Sequence, residues 1–229
     1  MTAGDTPVIA LDGPSGAGKG TISLRLARTL GFHYLDSGAL YRSLAVAAAR
    51  HQVAADNIEA LAVLAAHMDV AFAMVGQGAE PRVILEGEDV TTQVRAEETG
   101  VQASRIAALP EVRAALLRRQ RAFARPPGLV ADGRDMGTVV FPDAALKVFL
   151  TASPEERARR RHNQLIEKGV TATLAELIEA VNERDERDRN RSVAPLRPAQ
   201  GAMILDSTGL TIDDVVAAIL TAAKPRLER

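Results

Sequence analysis

The stretch VIALDGPSGAGKGTISLRLA, residues 8–27, decides the fold. Its opening run, VIAL (8–11), has the length and composition of a strand buried on both faces. Glycines at 13, 16, 18 and 20 then break the run before ISLRLA takes up helical spacing. Gly13, Gly18 and Lys19 fit G-x-x-x-x-G-K in the strand–loop–helix setting that gives this pattern meaning. Glycines let the backbone curl so that its N–H groups face phosphate oxygens, the helix N-terminus adds positive potential, and Lys19 reaches the β- and γ-phosphates. The plainer alternative is a glycine-rich turn. Gly20 stands where the strict pattern wants Ser or Thr, which first appears as Thr21. No N-K-x-D or T-K-x-D segment is present to select guanine, so the nucleotide expected in the loop is ATP.

Working outward, GLVA (128–131), LKVFL (146–150), AMIL (202–205) and, more weakly, FHYL (32–35) are further short apolar runs bounded by polar or glycine residues. Helix-start signals lie between them. Ser153, Pro154 and Glu156 form one, and Thr173 with Glu176 and Thr211 with Asp214 repeat its logic. Strands alternating with helices predict a doubly wound α/β sheet. Residues 69–90 break the rhythm. DVAFAMV, the turn-like GQGAEP and RVILEGEDV alternate like a small antiparallel hairpin, so roughly 65–104 is expected as an insertion. APLRPA (194–199) reads as a short proline-punctuated loop.

Composition narrows the function. The 229 residues suit one well-cored domain with insertions, and 47% apolar with 25% charged residues is ordinary for a globular protein. A formal net charge of −1 gives no overall pull towards nucleic acid or an anionic membrane. The chain has no cysteine, hence no disulfide, thiolate nucleophile or cysteine zinc site. No leader pattern or eighteen-residue apolar run is evident, and a soluble cytoplasmic monomer is expected.

A second site is written in arginine. Leu174, Leu177, Ile178 and Val181 form an apolar stripe at helical spacing, and the same face continues into Arg184, Asp188 and Arg191. A stripe that starts as core and ends in charges needs partners for those charges, and a cleft lined for an anion supplies them. A solvated helix end laced with Arg/Asp pairs is the plainer reading. ADGRDMG (131–137) follows a strand directly, placing Asp132, Arg134 and Asp135 at the carboxyl edge of the sheet, where open α/β folds bind ligands. LDSGALYR (35–42) puts Ser37 at a helix start and Arg42 about a turn beyond. RARRR (157–161) reads as an arginine lid over ATP or as a solvated basic face.

Together GPSGAGKGT, LDSGALYR, VILEGEDV, LLRRQR, ADGRDMGTVVFPDA and ERDERDRNRSVAP resemble the bacterial cytidylate kinases of the nucleoside monophosphate kinase family. The likeness spans nearly the whole chain. It implies a P-loop nucleoside triphosphate hydrolase fold with a five-stranded parallel sheet flanked by helices. It also implies a core of 1–36, 105–156 and 172–229, a monophosphate-binding region with the β insertion at 37–104, and a helical lid at 157–171. The implied reaction is ATP + CMP or dCMP giving ADP + CDP or dCDP, with magnesium, in pyrimidine nucleotide metabolism. ATP would be held by Gly13, Pro14, Ser15, Gly16, Ala17, Gly18, Lys19, Gly20 and Thr21, with Arg157, Arg160 and Arg161 from the lid. Arg42, Arg134 and Arg191 would grip the acceptor phosphate; Ser37, Arg184 and Asp188 its sugar; Ser104, Arg113 and Asp135 its base. Lys19, Arg134, Asp188 and Arg191 would serve catalysis. Thr21 would hold magnesium directly or through water.

The chemistry agrees with such a set. An acceptor phosphate oxygen is already ionised, so no general base is needed, and catalysis reduces to alignment and charge neutralisation. Arginine suits that task, and only four of the 28 basic residues are lysines (Lys19, Lys147, Lys168 and Lys224). A kinase for UMP, AMP or a small metabolite, and a P-loop regulatory or RNA-binding module, remain open on sequence alone. The 3% aromatic content argues against the RNA reading.

Overall fold

The computed structural model describes residues 6–73, 81–167 and 169–227. In chain order the elements are β1 (Val8–Asp12), α1 (Lys19–Leu30), β2 (His33–Asp36), α2 (Ser37–Arg50), α3 (Ile58–His67), β3 (Val70–Ala73), β4 (Arg82–Leu85), β5 (Glu88–Asp89), α4 (Thr91–Arg95), α5 (Glu97–Ile106) and α6 (Pro110–Arg121). They continue with β6 (Leu129–Gly133), a π-helical turn (Met136–Val140), β7 (Leu146–Thr151), α7 (Pro154–Glu167), α8 (Leu174–Arg189), β8 (Met203–Asp206) and α9 (Ile212–Leu227).

β1 is the middle strand of a five-stranded parallel sheet ordered β2-β6-β1-β7-β8. Helices cover a parallel sheet on both faces, which is why every residue of VIALD is buried. All five expected strands are present, FHYL among them. The chain leaves β1 through α1 to β2 at one edge and returns later as β6 between β2 and β1. It then crosses to β7 on the other side of β1. The strand order therefore switches at the carboxyl end of β1, where such sheets open a crevice for ligands. Ile9, Leu11, Ile22, Leu26, Val148, Leu150, Val215 and Ile219 form the core between sheet, α1 and α9. Each such side chain contributes about 1.5–3 kcal/mol by burial.

Residues fall into two compact units, Met1–Leu35 with Ala124–Arg229, and Asp36–Phe123. Within the second, α2 packs on α5 and α3 on α6, beside the antiparallel sheet β3-β4-β5. Residues 105–123, expected with the core, cluster here because α6 packs against α3. The hairpin grows into three strands. Glu86 (φ 53°) and Gly87 (φ 81°) form a two-residue turn between β4 and β5, with positive φ at both positions as a tight right-twisted hairpin requires. Most of the GQGAEP turn, and Met74 and Val75 before it, lie outside the described residues.

The capping signals are read correctly with one difference. Thr173 and Glu176 exchange both bonds of a capping box, and Thr211 and Asp214 do the same. Ser153 Oγ accepts from Glu156 N, but the Glu156 carboxylate turns to Arg159 and Arg160 instead of reaching back. The stripe on α8 also departs from expectation. Leu174 is exposed and Leu177, Ile178 and Val181 are half-buried; the buried residues of this helix are Asp185 and Asp188.

Candidate active site

The phosphate loop is shaped by what stands behind it. A Cβ at Gly13 would lie 1.9 Å from the Leu150 carbonyl oxygen of β7, so only glycine lets the chain turn there. Gly13→Ala is expected to lower stability by about 3 kcal/mol, read from the urea midpoint. An unchanged midpoint would show that the loop can move aside. Lys19 opens α1 after Gly18, which has left-handed φ, and is almost fully buried. Its Nζ donates to Pro14 O at 2.9 Å and stands 3.9 Å from an Asp132 carboxylate oxygen. Burial above all, then the Arg134 charge, pushes the Lys19 ammonium down to about 8, against the pull of Asp132. Thr21 lies exposed two residues along α1 from Lys19.

Asp12, the last residue of β1, was not singled out from the sequence. Its two carboxylate oxygens accept from the backbone N–H of Met136 (2.7 Å) and Gly137 (2.8 Å), pinning the π-helical turn to the central strand. Burial raises this carboxyl to about 6 in spite of those bonds. Asp135, which precedes the turn, is buried beside it, and such turns recur at functional sites.

Asp188 sits between two guanidiniums. Arg134 Nε donates to one of its oxygens at 2.8 Å and Arg191 to the other. Burial works against the Asp188 charge, but Arg134 and then Arg191 hold its carboxyl below the usual range. Burial likewise opposes the Arg134 charge, and Asp188 more than restores it. Arg184, a turn earlier on α8, is half-buried and adds to the positive potential at Lys19. The first unit thus brings together Lys19, Asp132, Arg134, Arg184, Asp188 and Arg191.

The lid arginines behave differently from one another. Arg157 is buried, with its guanidinium turned into the protein: it pairs in bidentate fashion with Asp185, and donates to Ser15 O and Ala152 O. Arg160 donates to Ser207 and, at 3.4 Å, to Ala17 O. Arg161, half-buried, has Gln164 Oε1 at 3.5 Å. Asp185 and Ser207 were missed in the sequence. The i, i+3 spacing of Asp185 and Asp188 was the available signal for the first.

The second unit carries the other expected acceptor residues. Asp36, not Ser37, caps α2, accepting from Ala39 N at 2.9 Å, which leaves the buried Ser37 in the first helical turn. Arg42 donates to Val94 O (3.0 Å) and Ala96 O (3.2 Å) at the junction of α4 and α5. Ser104 is buried on α5, and its hydroxyl makes no hydrogen bond among the described residues. Arg113, from α6, donates to Ala107 O at 3.1 Å and stacks 5.9 Å from the centre of the Tyr41 ring.

The model of one family, described as Cytidylate kinase, matches residues 9–225. The chain belongs to the cytidylate kinase family. It is a (d)CMP kinase, a phosphotransferase that uses ATP. A cytidylate kinase from Vibrio parahaemolyticus is 59% identical over 222 residues, covering 97% of both chains. One from Pseudomonas aeruginosa is 60% identical over 217 residues, covering 95% of both. Among solved structures, an uncharacterized protein from Eubacterium ventriosum is similar in fold alone. Its TM-score is 0.53 at 11% identity, covering 96% of this chain and 99% of that one. Among the described residues no helix is long and apolar enough to cross a membrane.

Proposed function

We propose that this cytidylate kinase moves the γ-phosphoryl group of ATP by alignment and charge neutralisation alone. Backbone N–H groups of Gly13 and residues 15–21, together with Lys19, hold the β- and γ-phosphates, while Pro14, which has no N–H, shapes the loop. Arg42, Arg134 and Arg191 hold the acceptor phosphate. One of its ionised oxygens attacks the γ-phosphorus, the bond from that phosphorus to the β,γ-bridging oxygen breaks, and ADP departs with the electron pair. No proton need be removed first. The arrangement that supports this most directly is the gathering of Lys19, Arg134, Arg184 and Arg191 in the first unit, cations whose mutual repulsion anionic phosphates would relieve beyond what Asp132 and Asp188 already offset.

Ser37, Arg184 and Asp188 contact the sugar. Each Asp188 oxygen already accepts from an arginine, but a carboxylate has about four acceptor positions, so capacity for a hydroxyl remains. Ser104, Arg113 and Asp135 read the base. Cytosine offers an N4 donor to a carboxylate and acceptors at N3 and O2 to a guanidinium or hydroxyl; uracil reverses two of these roles. The unsatisfied Ser104 hydroxyl fits a group waiting for a ligand. Arg161 is the lid arginine assigned to ATP.

Magnesium fits the donors present. The Thr21 hydroxyl would touch the ion, with phosphates and water supplying its other positions. When bound it would neutralise charge on the β- and γ-phosphates. The enzyme acts as a cytoplasmic monomer.

The test is ADP release from ATP and magnesium with CMP, dCMP, UMP or AMP as acceptor, for the wild type, Arg184→Ala and Asp135→Asn. Turnover is expected with the cytosine nucleotides, reduced in both variants. Asp135→Asn should also narrow the CMP-to-UMP ratio by roughly 10²-fold, since an amide can donate to uracil. An unchanged ratio removes Asp135 from base reading, and fast turnover with AMP defeats the acceptor assignment.

A further inference from the structure

A loop that aims its N–H groups at phosphates must turn carbonyls the other way, and those carbonyls need donors. Here they have them: Pro14 O accepts from Lys19, Ser15 O from Arg157 at 3.0 Å, and Ala17 O from Ser207 Oγ at 3.3 Å and Arg160 at 3.4 Å. Arg157 is the most deeply placed of these guanidiniums, with 2% of the residue exposed. Its Nε donates to Ala152 O just beyond β7 (3.0 Å), and its two terminal nitrogens bond both oxygens of Asp185 (3.0 and 2.6 Å). The exposed Arg189 lies 3.5 Å from the same carboxylate. The loop also touches α7 directly: a Cβ on Gly16 (φ 78°) would come within 3.1 Å of the Arg157 Cβ.

The other end of this pair is unusual. α8 is 16 residues long and its buried residues are two carboxylates, Asp185 and Asp188. Three apart, they share a face. One is gripped by the arginine behind the phosphate loop, the other by Arg134 and Arg191. A buried ion pair is a poor source of stability, since an apolar pair of similar volume often serves as well. What it fixes is position, because a bidentate fork sets both distance and plane.

We propose that Arg157 is a positioning residue which, through Asp185, couples the phosphate loop to helix α8, so that ATP in the loop raises the affinity for the acceptor nucleotide. This rests on the roles given above. When phosphates draw the loop N–H groups inward, the Ser15 carbonyl shifts with them, and Arg157 carries that shift to the helix bearing Arg184 and Asp188.

Calorimetric titration tests this without turnover: CMP is titrated into the enzyme alone and into the enzyme saturated with magnesium and a non-hydrolysable ATP analogue. In the wild type the analogue should tighten CMP binding by roughly 5-fold or more. In Arg157→Met/Asp185→Leu the gain should vanish, while CMP affinity without analogue changes less than about 3-fold and the urea midpoint is retained. Arg157→Lys, which keeps the buried charge but cannot span carboxylate and carbonyl together, should also lose the gain. Full coupling in either folded variant, or none in the wild type, overturns the proposal. Failure of the wild type to bind the analogue would instead sink the ATP site itself.

Discussion

Lys19→Met is expected to lower kcat by about 10³-fold while leaving the protein folded, a loss of roughly 4 kcal/mol of transition-state stabilisation. The side chain is buried, so methionine can fill its space, and the Pro14 carbonyl loses the one bond it accepts from the ammonium. What disappears is the ammonium that meets charge on the moving phosphoryl group. Steady-state turnover at saturating ATP and CMP measures this. A fall of less than about 10-fold would take Lys19 out of the chemistry.

The same residue ties activity and stability to pH with opposite signs. Burial, with help from Arg134, pushes Lys19 down to about 8 in the free enzyme from 10.5. The wild-type kcat/KM should therefore decline above about pH 8 as the ammonium loses its proton. Between 8 and 10.5 the unfolded chain binds more protons at this site than the folded one, so the Lys19 contribution to stability rises with pH. Lys19→Met should remove that rise, which urea titrations across the interval would detect.

The phosphate loop was legible because its constraints are local. A strand, a spaced set of glycines and a helix start lie within twenty residues, although the contact that demands glycine at 13 comes from Leu150 of β7, far along the chain. The partners of Asp12 are the N–H groups of Met136 and Gly137, more than a hundred residues away, and a single carboxylate ending an apolar run carries no trace of them. In RARRR, positions 157, 160 and 161 span little more than one helical turn. Nothing in that run says that Arg157 turns inward to Asp185 while Arg161 stays half-buried. The apolar stripe of α8 misled for a related reason: spacing gives the face of a helix but not the depth of what it meets, and here the helix is seated by its acids. The extent of the second unit was illegible too, since α6 follows α5 closely but packs on α3, far back along the chain.

Asp188→Ala should be the most damaging change on α8, costing about 3–5 kcal/mol of stability and roughly 10²–10³-fold in kcat/KM. The carboxylate is 1% exposed and is the shared partner of Arg134 and Arg191. Its removal leaves two like charges facing each other, with Lys19 and Arg184 nearby to sharpen the repulsion. Asp188→Asn should be milder, because the amide still offers one acceptor oxygen and can keep one arginine in place. The pH dependence separates loss of the charge from loss of packing. Asp188 is held below its ordinary 3.8, so its contribution is complete above that value and is lost as the pH falls through the lowered one. The urea-measured gap between wild type and Asp188→Ala should thus stay constant from pH 5 to pH 7 and shrink only in stronger acid. A gap that persists undiminished into strong acid would assign the loss to packing, and near-normal kcat/KM in the alanine variant would mean that Arg134 and Arg191 find their places without this carboxylate.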